Sequence, residues 1–358
     1  MNQPQKLELY REYPSADEPE IAQKIIRLME DQMAKNFPTG RTLRDVHSKG
    51  HGCVTAEFIV EPGLPDELRV GVFKEARKFP AFIRFSNAGG LAKIGGTARD
   101  IRPDARGMAI KLIGVEGPKI LEQERDEKTH DFLLFTPNVF FTADPGGFYD
   151  LMVALTTSFP ALVWFLLRHP PIAYALLLSL RIYADLLNLQ YFSAVPYLFG
   201  EKAVKYSTKA LSRRISMLPS LFSYNYLRER MKERLAHEGA EFEFMIQFQT
   251  DPYLMPIENA IVPWDEKLSP FIRVATIKIP PQSFDSAEQL EYCDNLSFTP
   301  WHCLPQQRPL GSVSRVRRTV YETISKFRHD RNGVPRREPT LESFRLYTQG
   351  PQSVGTGR

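Results

Sequence analysis

The chain has 358 residues, 43% hydrophobic and 25% charged, the balance of a globular protein with room for one large domain or two ordinary ones. A net charge of +4, from 46 lysines and arginines against 42 aspartates and glutamates, is too small over this length to argue for a nucleic-acid partner. Three cysteines, Cys53, Cys293 and Cys303, lack paired metal spacing and are too few for a disulfide framework, so reduced structural thiols are expected. The N-terminal residues carry no apolar core of a signal peptide, and a cytoplasmic location is expected.

Residues 1–40 carry a helical pattern around Ile21, Ile25, Ile26, Leu28 and Met29, broken by Phe37-Pro38-Thr39-Gly40, and read as an N-terminal arm packing outside the main body. From about 41 to 114 the pattern is β. Val54, Ala56, Phe58 and Val60 alternate with polar or smaller neighbours, so a strand leaves directly from the loop Arg44–Gly52 and sets His47 at the rim of a sheet. Taken singly, such a histidine more often hydrogen-bonds a loop than performs chemistry. Arg69–Phe73, Ala81–Ser86 and Gly107–Ile113 read as further strands. Arg84 shares a strand face with Phe82 and Ser86, and a cation among apolar neighbours calls for an anion. Arg106, in the turn Asp104-Ala105-Arg106-Gly107, is expected to be structural.

Residues 147–200 are the most apolar part of the chain: Leu151–Leu167 has no charge but contains Pro160, and Ile172–Leu187 is interrupted by Arg181 and Asp185. Each piece falls short of the roughly 20 apolar residues a membrane span needs. Buried helices covering the β body are expected, with peripheral membrane contact through 147–190 as the alternative. Arg213–His237 reads as a charged helix, and Glu241–Gln249 and Phe271–Ile279 as strands. With β structure on both sides of the helical stretch, a closed antiparallel barrel completed late in the chain accounts for both halves. Arg317, Tyr321, Ile324 and Arg328 fall on one helix face, where a guanidinium one turn from a phenol of ordinary pKa about 10 favours the phenolate. Residues 336–358 read as a tail.

Four of these segments together resemble the haem catalase superfamily, in particular its compact catalase-related peroxidase group, to which the coral allene oxide synthase is also related. Arg44, His47, Ser48, Lys49, Gly50 and Gly52 match the distal-histidine segment; Arg84-Phe85-Ser86 matches R-F-S; Phe140, Phe141 and Phe148 match the distal aromatics; and Arg317, Tyr321 and Arg328 match the proximal R-x-x-x-Y pattern. The resemblance implies an α+β fold: an eight-stranded antiparallel barrel with surrounding helices, and haem b buried between the barrel and a proximal helix at 310–330. It places one haem domain over 41–335, with a helical insertion at 147–237. It further implies catalytic roles for His47, Ser86 and Arg317, and haem contacts from Arg44, Val46, Arg84, Phe140, Phe141, Phe148, Arg317, Tyr321 and Arg328. Tyr321 would be the tyrosinate ligand of a ferric iron.

Two positions depart from the family. Phe135 stands where the family carries an asparagine that hydrogen-bonds peroxide, and Asn138 could replace it only if the loop were rebuilt. Ala88 stands where a valine narrows the channel. Both changes favour a bulkier substrate, so the expected activity is a haem peroxidase acting on organic hydroperoxides with weak catalase activity. The alternatives are a hydroperoxide-rearranging enzyme, a small true catalase, and a haem-binding protein without turnover. The expected partners are a hydroperoxide and further copies of the same chain in a homo-oligomer.

Overall fold

The computed structural model describes residues 6–89, 99–212 and 223–349. Nine strands, β1 (Gly50–Val60), β2 (Lys78–Asn87), β3 (Arg106–Ile113), β4 (Thr129–Phe135), β5 (Gln190–Phe192), β6 (Tyr197–Phe199), β7 (Lys202–Ala210), β8 (Ala240–Phe248) and β9 (Ile272–Ile279), form one antiparallel sheet among the described residues. The sheet closes. β1 pairs with both β2 and β9, and the ring runs on through β3, β4, β5, β7 and β8, so eight strands make a barrel. The β4–β5 seam is held by the single pair Phe135–Phe192, and β6 is a hairpin arm on the end of β7.

Alternation decides what the barrel encloses. Val54, Phe58, Ile83, Phe85, Met108, Ile110, Phe132, Leu134, Phe242, Phe244 and Ile246 all point inward into one buried core. Within it Phe132 and Phe244 lie 4.9 Å apart, and Phe58 and Phe244 5.1 Å. The interior is therefore filled with aromatic side chains. The residues between them, Arg84 and Ser86 on β2, Gly107 and Ala109 on β3, Leu133 and Phe135 on β4, belong to the opposite face and line a cavity outside the barrel.

Helices close that cavity. Helix α1 (Glu18–Asn36) packs Ala22, Ile25, Ile26, Met29 and Met33 against Val316, Val320 and Ile324 of the 21-residue helix α7 (Ser312–Asn332). Arg315 at the start of α7 pairs with Glu12, Glu18 and Glu258, which fixes the N-terminal segment to the proximal side. The arm is thus a wall of the cavity, with Met29 facing into it.

Several expectations change. Arg69–Phe73 is not a strand: Gly71 has φ +58° and the segment turns as a short 3-10 helix, because Gln307 occupies the space beside Gly71 and accepts from the Val72 N–H. The stretch 147–237 holds three helices, α2 (Pro145–Thr157), α3 (Phe159–Arg168) and α4 (Pro170–Ser179), then β5, β6 and β7, and only then α5 (Tyr226–His237). Of the charged helix expected over Arg213–His237, residues 213–222 lie outside the described residues, and α5 covers Tyr226–His237. Helices α3 and α4 are not buried covers. Their outer faces, including Phe159, Trp164, Leu167, Tyr174 and Leu177, are exposed.

The cysteines also differ from expectation. Cys53 on β1 and Cys293 on α6 (Ala287–Asn295) are joined in a disulfide, and only Cys303 is a free, buried thiol. Spacing of 240 residues in sequence concealed the pair, since only barrel closure brings β1 beside α6. The described part of the tail is likewise structural. Glu338 ion-pairs with buried Lys111 at 2.6 Å, and α8 (Leu341–Gln349) brings Tyr347 onto the Cys53 carbonyl at 2.6 Å.

Candidate active site

The strand-to-loop junction before β1 builds one side of the site. His47 has φ +56°, an uncommon conformation for a residue with a Cβ, and three contacts hold it there. Its N–H donates to the Ala88 carbonyl at 2.9 Å, its own carbonyl accepts from Arg84 Nη2 at 2.9 Å, and its Nδ1 lies 2.9 Å from Ser86 Oγ. With Nδ1 engaged, Nε2 is the ring nitrogen left for other chemistry. Burial first, then the Arg84, Arg317 and Arg44 guanidiniums, push the imidazole down to about 3, so it is neutral over the ordinary pH range. Gly107 lies against the ring: a Cβ there would sit 2.6 Å from both Nδ1 and Cε1 of His47. The turn residue thus acts as the back plate for the histidine, a role its turn motif did not reveal.

Helix α7 builds the opposite side. Arg317, Tyr321, Ile324 and Arg328 all line the first cavity, as their common helix face requires. Arg317 Nη2 donates to the Tyr321 hydroxyl at 2.9 Å, and its guanidinium carbon lies 5.1 Å from the Tyr321 ring centre. Despite burial, the phenols of Tyr321 and Tyr197 keep Arg317 firmly charged, with its pKa raised.

At one edge of the cavity three arginines converge. Arg328 donates to the Asp294 carbonyl at 2.7 Å, Arg44 lies 3.7 Å from the Asp294 carboxylate and donates to the Leu296 carbonyl, and Arg84 is 3% exposed. Burial and then Arg44 push Arg84 well below its usual range and Arg328 down to about 9. Asp294 is the carboxylate that opposes these shifts, and the Arg84 Nε has no hydrogen-bond partner among the described residues. Three guanidiniums against one carboxylate, with a buried donor left over, form a site that is electrostatically incomplete without a further anion. Asp294, separated from Arg44 by 250 residues, carried no signal in the sequence.

Two cavities meet between these sides. The first reaches the arginine edge. The second is lined by Ala88, Phe140, Phe141, Phe148, Leu151, Leu155 and Leu176. Met29, Val46, His47, Phe135, Arg317, Val320 and Tyr321 line both, so the two cavities adjoin at these residues. The residues singled out from sequence, His47, Ser86, Arg317, Arg44, Val46, Arg84, Phe140, Phe141, Phe148, Tyr321 and Arg328, are all on the walls of this pair of cavities. Asn138 is not: it is exposed, while Phe135 lies in the wall with its ring 5.6 Å from Phe141. Arg106 is fully buried and donates to the Asp100 and Arg102 carbonyls, outside the cavity lining.

This donor set fits haem. A phenol backed by a guanidinium can serve as a hard anionic iron ligand, the arginine edge can take two propionates, and the rest of the wall is apolar.

No protein-family model matches the sequence, and no curated protein matches it. Among solved structures, a fungal catalase superposes with a TM-score of 0.64 at 17% identity, over 92% of this chain and 66% of its own. A bacterial catalase does so with a TM-score of 0.64 at 16% identity, over 86% of this chain and 63% of its own. The chain therefore spans about two thirds of the length of these catalases, and what it shares with them is the fold.

Proposed function

We propose that this chain, on a catalase-like fold, is a haem-dependent peroxidase that reduces organic hydroperoxides and acts only weakly on hydrogen peroxide. The observation that carries the reading is the pairing of His47 and Tyr321 across one cavity whose edge gathers three arginines around one carboxylate. Arg44, Arg84 and Arg328 would hold the propionates, Val46, Phe140, Phe141 and Phe148 would contact the macrocycle, and Tyr321 would ligate the iron. Haem bound there would supply the two electrons that reductive cleavage of a peroxide O–O bond requires, and an external donor would restore them.

The side chains do the rest. Neutral His47, with Nδ1 held by Ser86 Oγ, offers Nε2 to accept the hydroperoxide proton and return it to the departing alkoxide, which leaves as the alcohol. Gly107 and the His47 backbone contacts fix the ring for that transfer. Arg317 holds the Tyr321 oxygen through its 2.9 Å hydrogen bond and would support it as an iron ligand. Phe135 replaces a hydrogen-bonding wall with an aromatic one, which supports an apolar substituent on the peroxide over a second hydroxyl.

The reading is tested by comparing turnover of hydrogen peroxide and a fatty-acid hydroperoxide by the haem-replete protein, with products identified by mass spectrometry. The expected result is preferential conversion of the lipid hydroperoxide to its alcohol, reduced by about 100-fold or more in His47→Ala at unchanged haem content. Oxygen release from hydrogen peroxide as the faster reaction would make this a small catalase. Epoxide or ketol products would make it a rearranging enzyme, and unchanged rates in His47→Ala would leave a haem-binding protein.

A further inference from the structure

We propose that the outer face of the α3–α4 pair is a docking surface for a lipid bilayer bearing anionic headgroups. Soluble surfaces scatter their large apolar residues, yet here Phe159, Trp164, Leu167, Tyr174, Leu177 and Leu178 are all exposed on two consecutive short helices, with Leu167 70% and Leu177 68% accessible. The face is not a loosely attached segment. On the inner side Leu162, Ile172 and Ala175 are buried, and Leu162 and Ile172 pack with Leu151 and Ala154 of α2, so the helices present their outer side chains from a fixed base.

Charge and geometry select the occupant. Residues 151–184 contain no aspartate or glutamate; their fixed charges are Arg168 and Arg181, both exposed. Arg168 sits 4.5 Å over the Trp164 ring, an amphipathic pair suited to the headgroup boundary, where the indole meets acyl chains and the guanidinium meets phosphate. A two-fold contact between copies of this face would instead bring like charges together with no acidic group of the segment to neutralise them. No single helix among the described residues is long and apolar enough to cross a membrane, and α3 and α4 meet at a bend of 116°. Such a pair can lie in the interface plane with its apolar face down.

The position of the surface gives it a use. Leu176 and Ser179 of α4 and Leu180 just after it line the second cavity, along with Leu151 and Leu155 of α2, and the same cavity reaches His47 and Tyr321. A bilayer seated on α3–α4 would place acyl chains against the wall of the peroxide site, so the substrate class becomes a lipid hydroperoxide taken from the membrane. That last step rests on the peroxidase reading; the docking surface does not.

The test uses the full chain with phosphatidylcholine vesicles, with and without phosphatidylserine, read by flotation and by tryptophan emission. Trp164 is 58% exposed while Trp264 and Trp301 are each 5% exposed, so the emission change reports this face. The expected result is a blue shift and co-flotation with the phosphatidylserine vesicles, weakened by salt, and an affinity about tenfold or more lower in Leu167→Gln/Leu177→Gln. No flotation with either vesicle, or equal flotation of the double variant, would overturn the proposal. So would a blue shift that appears without lipid as protein concentration rises, which would assign the face to a second copy. If the double variant melts early, quenching of the unaltered protein by brominated phosphatidylcholine decides: quenched Trp164 supports docking, unquenched Trp164 removes it. Neither readout involves peroxide turnover, so failure here leaves the peroxidase reading intact, and failure of that reading leaves this one.

Discussion

At the scale of single residues, the site depends on a histidine held from every side and a glycine that leaves room for it. His47 takes a left-handed backbone conformation fixed by Ala88 and Arg84, so its ring has little freedom to retreat. In Gly107→Ala the new methyl would lie 2.6 Å from the imidazole and 2.9 Å from Ser86 Oγ. We expect a stability loss of about 1–3 kcal/mol, typical of overpacking, with a larger relative loss of hydroperoxide turnover than of haem binding. Urea denaturation, the haem absorption band and initial rates measured on one preparation would check this; retention of full turnover would show that the ring does not need its present position. His47, Arg84 and Tyr321 were legible because each stands in a short local pattern. Gly107 as a back plate was not, since the contact crosses from β3 to the loop before β1.

At the scale of elements, the disulfide and the arginine edge belong together. Cys293 precedes Asp294, whose carbonyl accepts from Arg328 and whose carboxylate faces Arg44, while Cys53 anchors this end of α6 to β1. The bond closes a 240-residue separation, and cross-links of this kind stabilise by about 2–5 kcal/mol. We expect Cys293→Ser, or the reduced protein, to melt about 5 °C or more lower and to bind haem more weakly, because the end of α6 that organises Arg44 and Arg328 is released. Calorimetry with and without reductant, followed by haem titration, would test it; unchanged melting with quantified free thiols would remove the stabilising role. The α7 face was readable from helical spacing alone. The strand β5, three residues long, was not, because an element that short is selected by the edges it pairs with.

At the scale of the whole molecule, burial of neutral histidines couples the fold to pH. Burial lowers His51 to about 4 and His130 well below its ordinary value; His51 Nε2 lies 2.7 Å from Asn87 Oδ1, and His130 Nδ1 accepts from the Leu304 N–H. Both folded values lie below the unfolded value of about 6.5, so the unfolded chain binds the extra protons. Their contribution is complete above pH about 6.5 and is lost as pH falls below it, for His51 down towards about 4. Urea unfolding should show lower stability at pH about 5 than at pH about 7.5, by about 2 kcal/mol from His51 alone, and a smaller difference is expected in His130→Gln. Equal stability at the two pH values would mean that these histidines titrate alike in both states.

The residue order determined that β segments on both sides of an apolar stretch would have to close into a barrel, and it singled out side chains that meet at the cavities. Those properties are local: alternation, helical spacing and short motifs survive in one dimension. Tertiary structure decided the rest. It filled the barrel with aromatics and put the cavity on the outer face, joined Cys53 to Cys293, left α3 and α4 with apolar faces in the open, and set Asp294 among three arginines. Each of these depends on which distant surfaces meet when the barrel closes, and contact between segments far apart in the chain leaves no pattern within either one.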